Sequence, residues 1–343
     1  MGNVTRNPGE KKMGLIDFIL RLIRGSKPPT TQPVIPPDSL TEPARMVIVR
    51  VLLIIYDPIV DPVTGITLSQ LMKWNRVDDL VNGFIQDVLE ASDGLARYQI
   101  VERVVLNEFP AKTDGYRYDP SAYLSVLKGN PPHKPEMADY KAILTGFNIL
   151  SRVARREIDE VWTFAFPHAG FYESAMGGSG AFWCNAPPLD GSSDSPRRFV
   201  VMGFSYERGV GEMLEAFGHR VESILGKAFA KKPGNANLFN RFLLHEKEAA
   251  GKAEVGSIHF APNSEKDYDW NNPRKVMSTC YDWFNFPNFR GDIREVNADE
   301  WGNGDIRAHH KWWLNHLPKV AGRMNGIANN WWQYIMDPNL VNL

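Results

Sequence analysis

Apolar, β-branched runs alternate along this chain with segments of helical periodicity. The first run, residues 46–56 (MVIVRVLLIIY), is almost continuously hydrophobic, which is typical of a strand buried on both faces of an α/β sheet. The predicted strands are 46–56, 98–106, 160–166 and 199–204. The predicted helices are 77–90, 140–154 and 211–229, and 108–136 is predicted as a loop. This alternation predicts an α/β fold in three layers, with a mainly parallel central sheet and helices on both faces.

The chain divides into three parts by composition. Residues 1–43 combine an amphipathic helix predicted at 13–24 with a proline-rich linker, and residues 44–235 hold the strands and helices of the α/β core. In residues 236–343 strand-like runs are few, and seven of the ten tryptophans lie there. We expect this irregular Trp-rich lobe to belong to the same globular unit and to pack over the sheet.

Composition excludes several classes of protein. The 39 basic and 40 acidic residues leave a net charge of −1, which argues against a nucleic-acid-binding protein. Two cysteines are too few for a disulfide framework. We expect a cytoplasmic protein, because there is no apolar run of membrane-spanning length and no signal-peptide pattern. The amphipathic segment 13–24 suggests peripheral contact with a membrane or a protein partner.

One stripe of the helix predicted at 211–229 carries acidic and imidazole groups. Glu212, Glu215, His219 and Glu222 are spaced i, i+3, i+7 and i+10, so they fall within about 80° of arc. Carboxylates and an imidazole on one stripe are the groups that a zinc or acid–base site requires. The apolar arc of the same helix must face the sheet, so the stripe is either solvated or covered by the Trp-rich lobe. We expect residues 255–320 to cover it.

Further ligands are predicted outside this helix. His259 lies in a short apolar segment bounded by glycine and proline, and His168 and Glu173 follow the strand 160–166. Because sites in parallel sheets gather at the carboxyl ends of strands, these groups are candidates for the same centre. The interpretation is a zinc-type metallohydrolase in which a glutamate serves as general base. The predicted metal ligands are His219, Glu222, His259 and His168, and the predicted catalytic carboxylates are Glu215, Glu212 and Glu173.

Two alternatives remain open. The first is a non-catalytic binding or assembly protein, in which the Trp-rich lobe holds a small-molecule, peptide or glycan ligand and the 13–24 helix serves as a tether. Its candidate platform is a helical face formed by His309, Trp312, Trp313 and His316. The second is a cysteine hydrolase. The His168-Ala169-Gly170 turn after an apolar strand resembles caspase-like cysteine peptidases, and that resemblance implies a three-layer α/β sheet and a nucleophilic cysteine, for which Cys184 is the candidate. No motif in the sequence names a substrate.

Overall fold

The computed structural model describes residues 42–342, and a five-stranded mixed sheet lies at the centre of this part of the chain. In the first two-thirds of the described chain, the strands are β1 (Val47–Tyr56), β2 (Ile59–Asp61), β3 (Ile66–Thr67), β4 (Ala96–Leu106), β5 (Glu160–Ala165), β6 (Ser174–Gly177) and β7 (Phe199–Ser205). The helices of the same part are α1 (Leu68–Met72), α2 (Val77–Ala91), α3 (Pro120–Leu127), α4 (Tyr140–Gly146), α5 (Ile149–Ala154) and α6 (Val210–Phe229).

The order of strands across the sheet is β4-β1-β5-β7-β6. β1 runs parallel to β4 and to β5, β5 runs parallel to β7, and β6 alone is antiparallel to its neighbour. The four predicted strands are therefore confirmed as neighbours in one open, mainly parallel sheet of an α/β fold. The edge strand β6 was not predicted, because its four residues carry neither β-branched side chains nor a clear alternation.

Burial explains why the central strands read as continuous apolar runs. Every residue from Val51 to Tyr56 is at most 3% exposed, and all six residues of β5 are buried. A strand buried on both faces has no polar side, so its sequence does not alternate. The edge strand β4 has neighbours on one side only, and exposed residues interrupt its buried ones.

Two helical predictions need correction. The segment predicted as one helix at 140–154 forms two short helices, α4 and α5, separated at Phe147 and Asn148. Asn148 adopts a left-handed conformation with φ of 50°, which ends a right-handed helix. The predicted loop 108–136 contains α3, which begins where the Asp119 carboxylate accepts a hydrogen bond from the Ala122 amide and proline occupies the first turn.

The predicted helix at 13–24 and most of the linker lie outside the described residues. At the start of the described chain, Glu42 accepts a hydrogen bond from the Gly322 amide and pairs with the Arg323 guanidinium at 2.9 Å. Among the residues described, no helix is both long enough and apolar enough to cross a bilayer.

Residues 236–342 contain short elements only. These are α7 (Leu238–Phe242), β8 (Val276–Ser278), β9 (Arg294–Val296), α8 (Ile306–Asn315), β10 (Lys319–Met324), β11 (Ile327–Asn330) and α9 (Trp332–Met336). β8 pairs with β9 and β10 pairs with β11, each antiparallel. Six of the seven tryptophans here are at most 6% exposed: Trp270, Trp283, Trp301, Trp313, Trp331 and Trp332. Their indoles fill the interior rather than the surface.

A buried ion pair joins the sheet to α6 and to the C-terminal residues. The Arg220 guanidinium, 0% exposed, donates from Nη1 to Glu160 Oε1 at 2.7 Å and from Nη2 to the Ile335 carbonyl at 2.8 Å. The Trp162 indole donates to the same Glu160 oxygen at 2.8 Å. Since arginine cannot lose its proton in a protein, Arg220 stays charged and its partners must remain in place.

Replacing Glu160 with glutamine should therefore destabilise the protein. The Glu160→Gln change leaves the buried Arg220 charge uncompensated, which costs about 3–5 kcal/mol of unfolding free energy. Urea denaturation of the purified protein measures this cost. The matched control is Glu157→Gln, because Glu157 pairs with Arg155 at the surface; we expect no measurable change there. Equal stability of the two variants would contradict the structural role of the buried pair.

Candidate metal centre

The helix α6 is buried on nearly all sides. Every residue from Met213 to Leu225 is buried, including Glu215, His219 and Glu222 of the predicted stripe. A helix that was predicted to be amphipathic can be buried this way only if another segment covers its polar side. The cover comes from residues 256–270 and from α8.

Two glycines on α6 allow this cover to approach closely. A Cβ atom placed on Gly211 would lie 2.4 Å from Ile306 Cγ2 of α8, and one placed on Gly218 would lie 2.3 Å from Ile258 Cδ1. The two glycines are seven residues apart, so they lie on the same side of the helix. Because neither has a side chain, Ile306 and Ile258 pack directly on the α6 backbone.

Hydrogen bonds then fix the covering segment over the stripe. The Ile258 amide donates to Glu222 Oε1 at 3.1 Å. The ring nitrogens of His310 lie 3.1 Å from the Gly211 carbonyl and 3.2 Å from the Ile258 carbonyl, so α8, α6 and the covering segment meet at this ring. Burial lowers the pKa of His310 to about 4, so the ring is uncharged at neutral pH and donates to one of the two carbonyls. Because Ile258 is held in this way, His259, the residue that follows it, is directed towards α6.

Three side chains converge beneath the cover. Glu215, His219 and His259 each present one ligand atom, and these atoms all lie within 4.8 Å of one another. Glu215 Oε1 is 3.0 Å from His259 Nε2 and 4.0 Å from His219 Nε2. Two imidazole nitrogens and one carboxylate oxygen are a ligand set found in catalytic zinc sites.

Each histidine of the triad also faces a second carboxylate from its other nitrogen. His219 Nδ1 lies 3.2 Å from Glu222 Oε2. His259 Nδ1 lies 3.1 Å from Asp267 Oδ1, without hydrogen-bond alignment. A carboxylate behind Nδ1 leaves Nε2 free to coordinate, and this arrangement is common around the histidines of zinc sites.

A loop formed by residues 259–270 completes the cluster. Its two ends meet at His259, whose carbonyl accepts hydrogen bonds from the Tyr268 amide and from the Trp270 indole at 3.3 and 3.1 Å. The Tyr268 hydroxyl donates to Glu215 Oε1 at 2.9 Å. Tyr268 is about half exposed and has a positive φ of 57°, so the loop geometry holds a strained residue beside the triad.

The charges of the cluster compensate one another. Burial alone would raise the pKa of Glu215, but the hydrogen bonds from His259 and Tyr268 outweigh it and lower the pKa to about 2. Burial alone would lower the pKa of His219, but the Glu222 hydrogen bond and charge, with the charges of Glu173 and Glu215, raise it above its usual value. At neutral pH Glu215 is therefore ionised.

The expected cover over the stripe is confirmed for Glu215, His219 and Glu222, which are 8%, 8% and 5% exposed. The solvated alternative for these three side chains is therefore wrong. Glu212 is half-buried and stands apart from them, because its carboxylate accepts a hydrogen bond from the Gly209 amide at the start of α6. Glu222 supports His219 instead of joining the three convergent ligand atoms.

The two predicted residues after β5 lie in different surroundings. His168 is exposed and is not among the three residues whose ligand atoms converge. Its carbonyl accepts a hydrogen bond from the Lys112 ammonium at 2.5 Å. Glu173 is exposed and near enough for its charge to raise the pKa of His219, and its carboxylate accepts a hydrogen bond from Asn185 at 2.7 Å.

The groups behind the two alternative interpretations are buried. The thiol of Cys184 is fully buried beside Ser174, and burial raises its pKa to about 11, so it is not a reactive thiolate. His309 and Trp313 are 0% exposed and His316 is 2% exposed, while Trp312 is half-buried, so most of the helical face on α8 is part of the interior.

Sequence reasoning missed two members of the cluster. These are Asp267 and Tyr268, neither of which lies on a predicted strand or helix. The loop that returns to the His259 carbonyl is what brings both residues to the triad. A carboxylate and a phenol eight and nine residues after a histidine have no helical or strand periodicity that would reveal their meeting.

Comparison with known proteins found no matching family model, no similar curated protein and no similar solved structure.

Adding a methyl group at Gly218 should separate the cover from α6. The Gly218→Ala change forces Ile258 away, and overpacking of this kind costs about 1–3 kcal/mol. Thermal or urea denaturation measures the loss. The matched control is Gly226→Ala on the same helix, which meets no atom within 4 Å. We expect that control to stabilise the helix by about 0.5–1 kcal/mol; a loss in both variants would contradict the packing argument.

Stability should fall in acid through Glu215. Its pKa is about 2 in the folded protein against 4.5 normally, so the unfolded chain binds more protons between these values. The stabilisation is therefore complete above pH 4.5 and lost as the pH falls towards 2; it amounts to about 3 kcal/mol in metal-free protein. Urea denaturation of the wild type and of Glu215→Gln from neutral pH to pH 3 measures it. Parallel pH profiles of the two proteins would refute this assignment.

Proposed function

We propose that Glu215, His219 and His259 bind a zinc-type divalent cation and that the protein is a metal-dependent hydrolase. The observation that carries the proposal is the convergence of these three ligand atoms within 4.8 Å under a common cover. The carboxylates behind the two histidines support it, because they orient the imidazoles for coordination.

The spacing of the ligand atoms fits a small cation. Bonds of 2.0–2.1 Å in a tetrahedral site place neighbouring ligand atoms about 3.4 Å apart. The distances from Glu215 Oε1, 3.0 Å to His259 and 4.0 Å to His219, lie on either side of this value. Three protein ligands leave one position for a water or a substrate atom, as in catalytic zinc sites.

The remaining carboxylates differ in whether hydrogen bonds within the protein already engage them. A zinc ion, when bound, supplies Lewis acidity and lowers the pKa of a coordinated water to about 7. Glu222 is occupied by His219 and the Ile258 amide, and Glu212 by the Gly209 amide. Glu173 is exposed and close to the centre, so we assign it the role of general base. Tyr268, half exposed beside Glu215, is placed to donate a hydrogen bond to substrate.

The binding-protein alternative has less support. It requires an accessible tryptophan surface, and six of the seven C-terminal tryptophans are at most 6% exposed. We also propose the finer arrangement of the fold, with helices on both faces in three layers and residues 236–343 as a lobe over one of them. The mutual contacts of α6, α2 and α8 support the part of that arrangement in which residues 236–343 pack against the helices of one face.

Zinc binding tests the proposal directly. We expect the wild-type protein, stripped with chelator and titrated calorimetrically with zinc, to bind one ion. His219→Ala and His259→Ala should lose more affinity than Glu222→Gln, for which loss of a supporting carboxylate predicts about 10–100-fold. The matched control is His168→Ala, which should bind as the wild type does. Hydrolysis of activated esters and of peptide libraries by the zinc-loaded protein should fall in Glu173→Gln while its zinc affinity is retained.

Two outcomes would overturn these assignments. A wild-type protein that binds neither zinc nor cobalt nor manganese has no metal centre at this triad. Loss of zinc in His168→Ala equal to that in His259→Ala would place the centre elsewhere.

A further inference from the structure

A cavity of 220 Å³ lies at the carboxyl ends of two parallel strands, on elements that the candidate metal centre does not use. Tyr56 and Leu106, the last residues of β1 and β4, form part of its wall. The opposite wall comes from α4 and the turn after it. Crevices outside the carboxyl ends of parallel strands are where ligands bind in open α/β sheets.

The chain crosses the sheet at this point. From β1 it continues to β4 on one side of β1, and after β4 it returns to β5 on the other side. The connections of β1 and β5 leave their strands in opposite directions, so the topological switch point lies between these two strands. The cavity lies beside it, at the carboxyl ends of β1 and β4.

Charges of both signs line the cavity. The Arg117 guanidinium lies 3.1 Å from the Glu108 carboxylate, and both side chains are nearly half exposed. Both contacts of Arg117, with Glu108 and with the Phe109 carbonyl at 2.6 Å, use the same guanidinium nitrogen, Nη1. The other guanidinium nitrogens, Nη2 and Nε, face away from these partners. Asp139 uses one oxygen to accept the Ala142 amide, and its second oxygen is unused by the described residues.

A buried phenol faces the same space. Tyr56 is 3% exposed, and among the described residues its hydroxyl has no hydrogen-bond partner. Burial raises the pKa of this phenol, the charge of Glu108 raises it further and the charge of Arg117 opposes this, so the hydroxyl lies near both charged groups. The hydroxyl is not among the fully buried unpartnered atoms of the described residues, so it is open to the cavity and available to a ligand.

We propose that this cavity binds a small α-amino acid with an apolar side chain. The free edge of Arg117 matches a carboxylate, which it can bind in a bidentate manner. Glu108 and Asp139 match the ammonium group, and the Tyr56 hydroxyl donates to the carboxylate. The rest of the wall, with Ile143 and Phe147, is apolar and suits an aliphatic side chain.

The size of the cavity limits the ligand. Pockets for drug-sized molecules are about 300–1,000 Å³, so 220 Å³ suits a smaller metabolite. A free amino acid presents both charges within a few atoms, as Arg117 and Glu108 do across the cavity mouth. The proposal is independent of zinc binding, since the two sites share no residue.

Three probes that differ only in their charged groups test it. L-leucine should raise the melting temperature of the full-length protein and shift NMR resonances at concentrations up to about 10 mM, the range of weak metabolite binding. Isoamylamine lacks the carboxylate and isocaproate lacks the ammonium group, so neither should bind detectably. Failure of L-leucine and of every other apolar L-amino acid, or equal binding of all three probes, would overturn the proposal.

Matched variants locate the binding. Tyr56→Phe should keep the wild-type melting temperature, because its hydroxyl has no partner among the described residues, yet weaken L-leucine binding about fivefold. Arg117→Gln should weaken it more. The control is Tyr206→Phe, whose hydroxyl donates to the Tyr56 carbonyl at 2.6 Å and does not line the cavity; it should lose stability and keep its affinity. Wild-type affinity in both Tyr56→Phe and Arg117→Gln would place the amino acid elsewhere.

Discussion

The contact between Ile258 and the backbone of α6 at Gly218 is the constraint on which the candidate metal centre depends. A side chain at position 218 would hold the covering segment away from the helix, since a Cβ there would meet Ile258 at 2.3 Å. With the segment in place, water is excluded from Glu215, His219 and Glu222, and His259 enters the space above them. The polar face of α6 is therefore enclosed because residue 218 has no side chain.

Burial disfavours the charged form of the carboxylates in this cluster, and hydrogen bonds from neighbouring residues compensate for that effect. A buried carboxylate without donors would take up a proton, because its charged form loses the solvation of water. Glu215 instead receives hydrogen bonds from His259 and Tyr268, and Glu222 receives them from His219 and the Ile258 amide. A divalent cation would replace some of these donors while keeping the carboxylate ionised. The same geometry therefore suits a metal-free and a metal-bound protein.

The fold places two chemically different candidate sites on different elements. The candidate metal centre is built on α6, after β7, and is covered by a segment far along the chain. The cavity at Tyr56 is built from the ends of β1 and β4 and from α4. Both follow from parallel strands, whose carboxyl ends lie at one edge of the sheet and release the chain into loops and helices there.

Much of this architecture could be predicted from local patterns. The buried runs of β1 and β5 are apolar along their whole length, and the stripe on α6 follows from the helical repeat alone. Weak local signals explain the errors: β6 is only four residues long and has no β-branched side chain, and Asn148 interrupts an otherwise helical segment with one left-handed residue. The pairing of His259 with Glu215 was proposed as one of several combinations, because no periodicity links residues 44 positions apart.

The sequence by itself determined the four parallel strands of the sheet, the helix that carries the acidic stripe and the candidate histidines, because these properties depend on neighbours within a few positions. Only the tertiary structure decided that Glu215, His219 and His259 converge, that Asp267 and Tyr268 join them, and that Glu212 and His168 do not. The physical reason is that convergence depends on where a covering segment can pack. That packing is set by two glycines, by the His310 ring between two carbonyls and by a loop that closes on His259, all of them contacts between residues distant in the chain.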